Sequence, residues 1–570
     1  MKILGIGPSM VHDPAAALMI DGRIVAAVEE ERLTREKHAS GKLPIKAIEY
    51  CLETAGLKPS DLDIIAFPWD PRVYHRYKFG YFRRKFFSSP NRAIKSVSSA
   101  GRRCRAQRQI VEEIFRHFSI DASKTKAVYV EHHLAHAASA FLSSGFKEAA
   151  ILSIDGSGEF PATFLGRGRG KTIETIKEIC VPDSLGLFYS TFTEYLGFRS
   201  NNGEYKLMGM APYGNPSLTD LSRIVRWDEK KKTYRCNDDY VWVKRSRRHI
   251  RDTMYSRACV SDFGPPRSGD GLAEPYTHIA AAVQKRFEDI VLRLVDHYLK
   301  PELIKHGTLC FAGGCALNVS LNRILRQQPY VKNLWVQPAS HDAGASLGAA
   351  AYAAAARGED IEPMRHAYLG PEFSDARIEV ALKSSKFKYR RENNISRKVA
   401  GLLAQGEVVG WFQGRMEWGP RALGNRSILG NPGISGIADK INALIKFREK
   451  WRPFCPSILE EFAHDILQSD HHATFMTIAF EVNPAWREKI GEVVHVNGTC
   501  RPQVVEKNTN PRFYELIESF YRATGIPAVI NTSLNRRGEP IVCSPEDSLA
   551  MLEGSGLTFM AIGDFLVSKD

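Results

Sequence analysis

The sequence has no run of 18 or more apolar residues, so it offers no candidate for a membrane-spanning helix. Its longest stretch of small residues, 343–356, contains Gly344, Ser346 and Gly348 and indicates a buried helix instead. The ten cysteines form no CxxC pair, which suits reduced thiols. The first residues, MKILGIGPS, enter a strand pattern without the basic and apolar regions of a secretory signal. We therefore expect a cytoplasmic protein.

Acidic residues are absent from 71–110, and this segment holds twelve lysines and arginines, which account for most of the net charge of +14. Within it, RYKFGYFRRKFF interleaves basic and aromatic residues, a pattern that suits phosphate contacts, base stacking or an anionic membrane surface. A solvated loop with docked aromatic rings is the alternative. Because a general nucleic-acid binder spreads its basic residues over the fold, we expect no specific nucleic-acid partner.

Alternating strands and helices predict an α/β protein. Residues 2–30 read as three strands with a hairpin at Asp21-Gly22, followed by a helix in PIKAIEYCLETAGL and a strand in DIIAFPW. A similar cassette starts at KAVYV and continues through HLAHAASAFLSSG, AAILSIDGSGE and PATFLGRGRGKTIETIKEI. This internal duplication is typical of the actin, Hsp70 and sugar-kinase superfold, in which nucleotide lies between two halves.

Periodicity is lost after Ala356, in RGEDIEPMRHAYLGPEFSD, where proline, glycine and charge indicate a linker. A second α/β domain is predicted from about residue 375, opening with a helix in DARIEVALKSS and a strand in FKYR, and closing with strands in IPAVINTS and FMAIGDFLVS. We therefore expect one domain at 1–365, with a basic insertion at about 71–110, and a second at 375–570.

Two histidines and two aspartates are the strongest candidate metal ligands. His132 and His136 in EHHLAHAASA share one helix face at i and i+4, and no glutamate follows the first histidine as a metalloprotease motif requires. Asp155 and Asp342 follow predicted strands, at the ends where α/β folds bind ligands. Such a set suits Fe(II), Mn(II) or Zn(II) with open positions, whereas the alternative is one capping and one packing histidine.

Glycine-rich turns indicate weaker candidate nucleotide contacts. FAGGCALN at 311–318 places Gly313 and Gly314 after a strand, where the backbone can approach a nucleotide closely. In GEYKLMGMAPYG, Lys206 could contact a phosphate, although a surface turn is equally consistent. Gly170-Lys171-Thr172 resembles a P-loop only in part, because Leu165 stands where the first glycine is required.

Arginines and lysines in the second domain lie among rigid apolar residues, an environment typical of polyanion binding rather than of a solvated surface. GRMEWGPRALGNRS and INALIKFREKWRPFCPS carry most of them, and TCRPQ and the segment after IPAVI add further donors. We expect a pocket for phosphate and carboxylate-like groups. Its candidate residues are Arg415, Arg421, Arg426, Lys446, Arg448, Arg452, Arg501, Asn531, Thr532 and Ser533.

Eight strings occur together in one order: HDPAAAL, EHHLAHAASAF, SIDGSGE, GEYKLMGMAPYG, FAGGCALN, GWFQGRMEWGPRALGNRSILG, KWRPFCPSIL and INTSLN. Jointly they resemble the O-carbamoyltransferases of the NodU/CmcH family, nearly from end to end. The resemblance implies a TsaD-like domain joined to a YrdC-like domain. It also implies that the YrdC-like domain converts carbamoyl phosphate and ATP to carbamoyl-adenylate and pyrophosphate, and that the TsaD-like domain transfers the carbamoyl group to an acceptor hydroxyl and releases AMP.

The resemblance also implies roles for individual residues. The family's metal ligands, expected to hold Fe(II), fall on His132, His136, Asp155 and Asp342, and its histidine near the transferred group falls on His12 as general base or orienting group. Packing after the first strand is the competing interpretation of His12. The YrdC-like pocket falls on Arg421, Lys446, Arg452, Arg501 and Ser533, with Lys446 and Arg452 catalytic. Nucleotide contacts in the first domain fall on Gly313, Gly314 and Asn318, and Mg²⁺ accompanies ATP.

The acceptor, an antibiotic or other secondary metabolite in relatives, is not specified by any short motif. We hypothesise that the basic segment 71–110 forms a lid that recognises an anionic or bulky acceptor or a partner, and that an internal passage carries the adenylate; a homodimer is also compatible. Two other classes share the parent folds: tRNA threonylcarbamoylation enzymes, and kinases or chaperones that release ADP. A non-enzymatic binding module would not need two anion sites and a metal quartet.

Overall fold

A computed structural model of the chain describes residues 1–7, 13–86, 90–241, 250, 252–471 and 473–569, without the side chains of residues 91 and 92. His12 therefore lies outside the described residues. The chain divides into two compact units. The first consists of Met1–Met10, Pro14–Val25 and Lys42–Pro363, and the second of Val11–Asp13, Ala26–Gly41 and Met364–Asp570. The segment Ala26–Gly41 thus belongs to the second unit, whereas the sequence analysis had kept it in the first domain.

Strands and helices alternate along both units, as an α/β protein requires. In chain order, the strands are β1 (Lys2–Gly7), β2 (Ala15–Ile20), β3 (Arg23–Glu29), β4 (Ile64–Phe67), β5 (Lys126–Tyr129), β6 (Glu148–Ile154), β7 (Pro161–Arg169), β8 (Thr172–Cys180), β9 (Val225–Asp228), β10 (Thr233–Cys236), β11 (Thr308–Ala312), β12 (Asn333–Val336), β13 (Lys388–Arg391), β14 (Val409–Phe412), β15 (Arg426–Gly430), β16 (Cys455–Leu459), β17 (Phe480–Glu481), β18 (Thr499–Cys500), β19 (Gln503–Val505), β20 (Ala528–Ser533), β21 (Phe559–Ile562) and β22 (Phe565–Ser568).

The helices in chain order are α1 (Glu30–Thr34), α2 (Ile45–Thr54), α3 (Val73–Lys85), α4 (Pro90–His117), α5 (His132–Phe141), α6 (Leu185–Tyr195), α7 (Glu204–Met210), α8 (Arg257–Phe263), α9 (Tyr276–Leu294), α10 (Lys300–His306), α11 (Val319–Arg326), α12 (Asp342–Ala355), α13 (Asp375–Lys383), α14 (Ile395–Ala404), α15 (Ile437–Ile441), α16 (Ala463–Leu467), α17 (Pro484–Arg487), α18 (Pro511–Thr524) and α19 (Pro545–Glu553). No helix in the described part of the chain is both long and apolar enough to cross a bilayer.

The first unit contains two five-stranded sheets with the same strand order, except that residues Ala26–Glu29 of β3 are assigned to the second unit. One runs β3-β2-β1-β4-β5, and the other runs β8-β7-β6-β11-β12. Strand β1 pairs antiparallel with β2 and parallel with β4, and β5 is parallel to β4. In the same way, β6 pairs antiparallel with β7 and parallel with β11, and β12 is parallel to β11. The predicted α/β duplication is therefore confirmed. The strand in KAVYV completes the first sheet, however, and does not begin the second repeat as the sequence analysis expected.

Helices α5 and α12 pack against each other, α12 against β1, β2 and β4, and α5 against β6, β7 and β11. The sequence predicted that 343–356 is buried, and nearly every residue of α12 is buried. Small residues allow this packing, because a Cβ on Gly348 would lie 1.8 Å from the Ala135 carbonyl oxygen. The two central helices are consequently held at a short, fixed separation.

The basic segment 71–110 is helical where it is described, forming α3 and most of α4 rather than a solvated loop. Tyr74, Tyr77 and Tyr81 of α3 surround the Phe160 ring, with centroids 5.8–6.0 Å away. Ala100 and Cys104 of α4 join the same buried cluster. The tyrosines thus fasten the helices to the first unit, in agreement with the expectation that aromatic rings dock on the body.

The second unit is built on an eight-stranded mixed sheet, with the order β13-β22-β21-β14-β15-β20-β16-β19. The predicted helix in DARIEVALKSS and the predicted strands in FKYR, IPAVINTS and FMAIGDFLVS are all present, as α13, β13, β20, and β21 with β22. Helices α14 and α18 cover one part of the sheet with a core that includes Trp411, Phe513 and Phe520. This confirms a second α/β region.

We predict that Gly348→Ala destabilises the first unit by about 1–3 kcal/mol, because its methyl group would overlap the Ala135 carbonyl oxygen of α5. The matched control is Gly101→Ala in α4, where an added Cβ meets nothing within 4 Å. That substitution should stabilise the helix by up to about 1 kcal/mol. Thermal unfolding of both variants measures the difference, and equal unfolding midpoints would contradict the proposed close packing.

Candidate functional site

Four side chains that the sequence analysis selected as metal ligands come together in the first unit. His132 and His136 lie in the first turns of α5, Asp155 directly follows β6, and Asp342 opens α12. One ligand atom from each lies within 4.8 Å of the others. The His136 Nε2 atom is 3.2 Å from Asp155 Oδ2 and 3.6 Å from Asp342 Oδ1, and 3.1 Å from His132 Nε2. Two imidazoles and two carboxylates therefore converge on one point.

The convergence follows from where each element ends. The i, i+4 spacing puts both imidazoles on one face of α5, and the packing of α5 on α12 brings Asp342 opposite them. Asp155 reaches the cluster from β6, whose neighbour β11 leads into Gly313 and Gly314. The histidines are almost fully buried, whereas the Asp342 side chain is 30% exposed. The accessible side of the cluster is thus the aspartate side.

The orientation of His132 fits a metal ligand. Its Nδ1 atom lies 3.3 Å from the Pro68 carbonyl oxygen, so the neutral ring can donate there and keep the Nε2 lone pair for an ion. Trp69 packs against the ring with centroids 5.0 Å apart. The neighbouring His133 instead places its Nδ1 atom 2.8 Å from the Ser153 hydroxyl. Of the three histidines in EHHLAH, two therefore serve the cluster.

The buried Glu159 carboxylate supports α5 from outside the cluster. It accepts hydrogen bonds from the His132 amide, at 3.2 Å, and from the Asp70 amide, at 2.7 Å. The side chain of the N-cap residue Glu131 makes no capping hydrogen bond. Glu159, which is distant in sequence, therefore accepts a hydrogen bond from a free amide at this helix end. Burial raises the pKa of Glu159 to about 7, because its effect outweighs that of the His132 charge, which lowers this pKa. Glu159 was missed by the sequence analysis, although it ends the quoted string SIDGSGE.

The electrostatics of the cluster favour a cation. Burial disfavours protonation of His132, but the hydrogen bond to Asp155 and the charge of Asp342 outweigh it and raise the His132 pKa to about 9. The pKa of Asp155 is well below its ordinary value, because its contacts with the two histidines outweigh burial. Positive charge is thus already stabilised between the carboxylates, and the mixed nitrogen and oxygen donors suit a first-row divalent ion.

A second group of candidate ligands, Asp13, Glu31 and His38, also has atoms within 4.8 Å of one another. Its negative charge is already neutralised, because Glu31 pairs with Lys37 at 2.9 Å and with Arg32 at 3.5 Å. The charges of Arg32 and Lys37, opposing burial, lower the Glu31 pKa to about 2. This group lies in the second unit and fits an ion-pair network better than a cation site.

Two of the four expected nucleotide residues of the first unit, Gly313 and Gly314, lie beside the cluster. Gly313 has φ +88°, and its Cβ would lie 2.3 Å from the Ile154 carbonyl oxygen, while a Cβ on Gly314 would lie 3.0 Å from Asp155 Oδ1. These glycines therefore allow the backbone to pass beside Asp155. Asn318 caps α11 and is hydrogen-bonded to Gln284 at 3.0 Å. Lys206, in α7, has its ammonium 5.3 Å from the Phe198 ring centroid.

Lys446 is the centre of the cationic group in the second unit. It ends the turn Asn442–Lys446 and is only 6% exposed. Its ammonium donates to the Ser533 carbonyl oxygen and hydroxyl, at 2.5 and 3.3 Å, and to the Asn535 carbonyl and side-chain oxygens, at 3.0 and 2.9 Å. Burial first, and then the nearby charges of Arg448 and Arg452, hold the Lys446 pKa well below its ordinary value. The described partners of this ammonium are neutral oxygens, so its charge favours an anion.

Arg448 and Arg452 lie beside Lys446, and Arg501 contacts Cys455, which pairs with the predicted Asn531. Arg448 stacks over Phe454, with its guanidinium carbon 4.0 Å from the ring centroid, and donates to the Asn442 side chain at 3.0 Å. Arg452 pairs with the buried Glu449 at 3.3 Å. Arg501 donates to the Cys455 sulfur at 2.9 and 3.2 Å. Each guanidinium is thus held in place by a neighbour.

The sheet beneath these cations changes from apolar to polar along its strands. On one face, Val529 is followed two residues later by Asn531 and then by Ser533, and Val505 is preceded by Gln503. The Asn531 amide donates to the Ser457 hydroxyl at 2.9 Å and to Gln503 at 3.2 Å. Because alternate residues share a face, these donors and acceptors form a polar floor beyond the core under α14 and α18. The predicted Asn531 and Ser533 both lie on it.

Two other predicted arginines bind the main chain. Arg426 is fully buried, stacks on Phe412 and donates to carbonyl oxygens that include Gln413 at 2.6 Å and Pro371 at 3.1 Å. Arg415 donates to the Leu369 and Gly370 carbonyls. These contacts fit a positioning role better than direct contact with a substrate. Arg421 is half-buried in the loop between them.

Two residues that the sequence analysis missed organise this region. The Glu417 carboxylate accepts hydrogen bonds from the Leu423, Asn425 and Arg426 amides, at 2.7, 2.8 and 3.0 Å, and so fixes the loop that carries the arginines. Asn535 positions both Lys446 and Ser533. Asn535 is the last residue of the quoted string INTSLN, so the motif itself contained the signal.

Comparison with known proteins matches both parts of the chain to family models. Residues 2–351 match a model described as "Carbamoyltransferase N-terminus", and residues 400–569 match "Carbamoyltransferase C-terminus". An uncharacterised protein from Synechocystis is 37% identical, over 100% of this chain and 96% of its own length. The nodulation protein NolNO from Sinorhizobium fredii is 35% identical, over 99% of this chain and 80% of its own length.

Among solved structures, the ROK hexokinase from Thermus thermophilus aligns with 62% of this chain and 98% of its own. The identity is 14% and the TM-score is 0.27. A TM-score this low adds nothing to the topology described above.

We predict that Asp342→Asn weakens binding of Fe(II), Mn(II) or Zn(II) by about 10- to 100-fold or more, because one charged ligand is lost while the side chain keeps its size. Metal content after dialysis and titration calorimetry measure the effect. The matched control is His133→Asn, which removes an imidazole of the same helix that contacts Ser153 instead of the cluster. Equal loss of metal in both variants would contradict the assignment of ligands.

Proposed function

Because the chain belongs to the carbamoyltransferase family, we propose that this carbamoyltransferase uses ATP to activate a carbamoyl group and then transfers that group to a hydroxyl of a small molecule. Activation is assigned to the second unit and transfer to the first. The observation that carries the proposal is the combination of a buried, uncompensated Lys446 in one unit with two imidazoles and two carboxylates in the other.

The activation step consumes carbamoyl phosphate and ATP. Carbamoyl phosphate contains a phosphoryl group that is absent from carbamoyl-adenylate, so atom balance requires water to release it as inorganic phosphate. A carbamate oxygen then forms a bond to the α-phosphorus of ATP, the bond to the β-phosphate oxygen breaks, and pyrophosphate leaves with that electron pair. Mg²⁺ accompanies ATP in this scheme.

Cations and hydrogen-bond donors of the second unit suit this step. In the activation step, negative charge develops on phosphate oxygens. Cations that are already held in place can stabilise this charge without any rearrangement of their side chains. Lys446 is positioned by Ser533 and Asn535, and Arg452 by Glu449. We assign Lys446 and Arg452 to the reacting phosphates, and Arg448, Arg421, Arg501, Asn531 and Ser533 to binding. The role of Arg415 and Arg426 is to hold the surrounding main chain.

The transfer step breaks the mixed anhydride. The acceptor oxygen forms a bond to the carbamoyl carbon, AMP leaves with the electron pair of the broken bond, and the hydroxyl proton passes to a base. We assign that base to His12 on the basis of the family resemblance. A divalent ion held by His132, His136, Asp155 and Asp342 would supply Lewis-acid polarisation. Its identity is proposed as Fe(II), and Gly313 and Gly314 would let the nucleotide approach beside Asp155.

The proposed acceptor is a hydroxylated secondary metabolite, such as an antibiotic or a glycosylated product. The Asp342 side chain, at 30% exposed, gives the cluster an accessible side. A molecule that binds there can present a hydroxyl while the buried imidazoles stay fixed.

The test is to incubate the full chain with ATP and carbamoyl phosphate and to follow pyrophosphate, phosphate, AMP and ADP. We expect the wild-type protein to form pyrophosphate. Lys446→Met and Arg452→Ala should each lower the rate of pyrophosphate formation about 10²–10³-fold, because each removes a cation that we assign to the reacting phosphates. Asp342→Asn should keep pyrophosphate formation and lose transfer to hydroxylated acceptors, which mass spectrometry detects.

The control is Lys450→Ala, a lysine of the same segment whose side chain is 81% exposed and pairs with Asp439. It should retain full activity. Formation of ADP without pyrophosphate would instead indicate a kinase-type or chaperone-type ATPase. Tight tRNA binding with carbamoylation of the tRNA would indicate the nucleic-acid-modifying alternative.

We also predict that Lys446 takes up a proton when pyrophosphate binds. The Lys446 pKa is lowered by burial and by Arg448 and Arg452, and a bound anion raises it again. Affinity should therefore fall as pH rises through the interval between the lowered value and about 10.5. Calorimetry in buffers of different ionisation enthalpy measures the proton uptake, and Lys446→Met should show about one proton less. Equal uptake in both proteins would contradict this role of Lys446.

A further inference from the structure

The aromatic residues of α3 are divided between two faces of the helix. Tyr74, Tyr77 and Tyr81 face the buried Phe160, and the Tyr74 and Tyr77 hydroxyls are hydrogen-bonded to Trp69 and Glu178. The phenylalanines take the other face. Phe79, Phe82 and Phe86 follow at i, i+3 and i+7, with Phe79 65% and Phe86 42% exposed. Rings without any polar atom thus face outward, where water disfavours them.

The cations of α3 and α4 also fall into two groups, those that pair with acidic residues of the first unit and those that are exposed. Arg72, Arg76, Arg84 and Lys85 pair with Asp70, Glu131, Asp183 and Asp238 of the first unit. Arg83, Lys95, Arg102 and Arg105 are exposed, and none has an acidic partner within the described residues. Lys95, Arg102 and Arg105 fall on one face of α4, at i, i+7 and i+10. Positive charge remains uncompensated on the outward side.

Exposed apolar and basic residues occur together on each of the two helices. Phe79 lies in the middle of α3, Phe82 and Arg83 lie in its last turn, and Ile94 and Lys95 lie in the first turns of α4. Ile94 is 55% exposed. We define these residues, with Phe86, Arg102 and Arg105, as the outer surface of α3 and α4. It combines protruding apolar side chains with surrounding cations and, between 71 and 111, no acidic residue.

We propose that the outer surface of α3 and α4 docks the protein on an anionic lipid bilayer. Phenylalanine and isoleucine side chains enter the boundary between headgroups and acyl chains, while lysines and arginines contact the anionic headgroups. A nucleic acid is less well matched, because aliphatic Ile94 offers no stacking face and the three phenylalanines follow one helix stripe instead of a groove. The interaction is peripheral and independent of the transfer chemistry.

The experiment measures co-sedimentation of the full chain with phosphatidylcholine vesicles and with vesicles that contain about one third phosphatidylglycerol. We expect binding to the anionic vesicles only, weakening as salt rises. The triple variant Lys95→Ser, Arg102→Ser, Arg105→Ser should reduce the partition coefficient about 100-fold. Phe79→Ser should reduce it about tenfold, because a lipid-inserted ring is lost. All variants should keep the thermal unfolding midpoint of the wild-type protein, which shows that they fold.

The matched control is Lys230→Ser, Lys231→Ser, Lys232→Ser, which removes three positive charges from the turn between β9 and β10 of the same unit. It should bind vesicles as the wild-type protein does. The proposal is overturned if the anionic vesicles fail to sediment the protein at low salt, or if this control weakens binding as much as the α4 variant does. It is also overturned if a single-stranded RNA displaces the vesicles and Phe79→Ser leaves vesicle binding unchanged.

Discussion

The close approach of α5 to α12 is the contact on which the candidate metal site depends. Gly348 leaves room for the Ala135 carbonyl oxygen, so the helix that carries His132 and His136 lies against the helix that begins with Asp342. Each helix also packs on a different sheet of the duplicated first unit. The positions of the two imidazoles and of Asp342 are therefore set by the core, and a ligand set held in this way loses little entropy when an ion binds.

The second unit contains two kinds of buried cation: those that hold the main chain in place and those whose surroundings favour binding of an anion. Arg426 is as deeply buried as Lys446, but its guanidinium is surrounded by main-chain carbonyls that share its charge among several acceptors. The described acceptors of Lys446 are likewise neutral oxygens, of Ser533 and Asn535, but Lys446 also lies beside the positive charges of Arg448 and Arg452. A buried charge in such surroundings is costly, and a phosphate group removes the cost when it binds. Burial alone thus does not identify a binding residue, and the like charges of Arg448 and Arg452 beside Lys446 are what distinguish it from Arg426.

The sequence predicted what depends on short-range pattern. The hairpin at Asp21-Gly22, the all-small helix α12 and the strands of both units follow from periodicity, and the four candidate ligands follow from an i, i+4 pair and two strand ends. Part of what was missed depends on contacts over long sequence distances. Glu159 caps a helix that starts 27 residues earlier, and the membership of Ala26–Gly41 in the second unit depends on contacts with a distant part of the chain. No local pattern encodes such contacts.

The two candidate sites differ in charge, and the proposed two-step reaction would use one site for each step. The proposed activation places negative charge on phosphates, which calls for cations without carboxylate partners, as at Lys446. The proposed transfer requires a hydroxyl to lose a proton and a carbonyl to be polarised. That step calls for a concentrated positive charge whose own field is balanced by carboxylates, as Asp155 and Asp342 provide. If Lys446 and the two aspartates lay in one pocket, the aspartates would pair with the lysine and neutralise its charge. Separate positions for the two groups of side chains avoid this pairing.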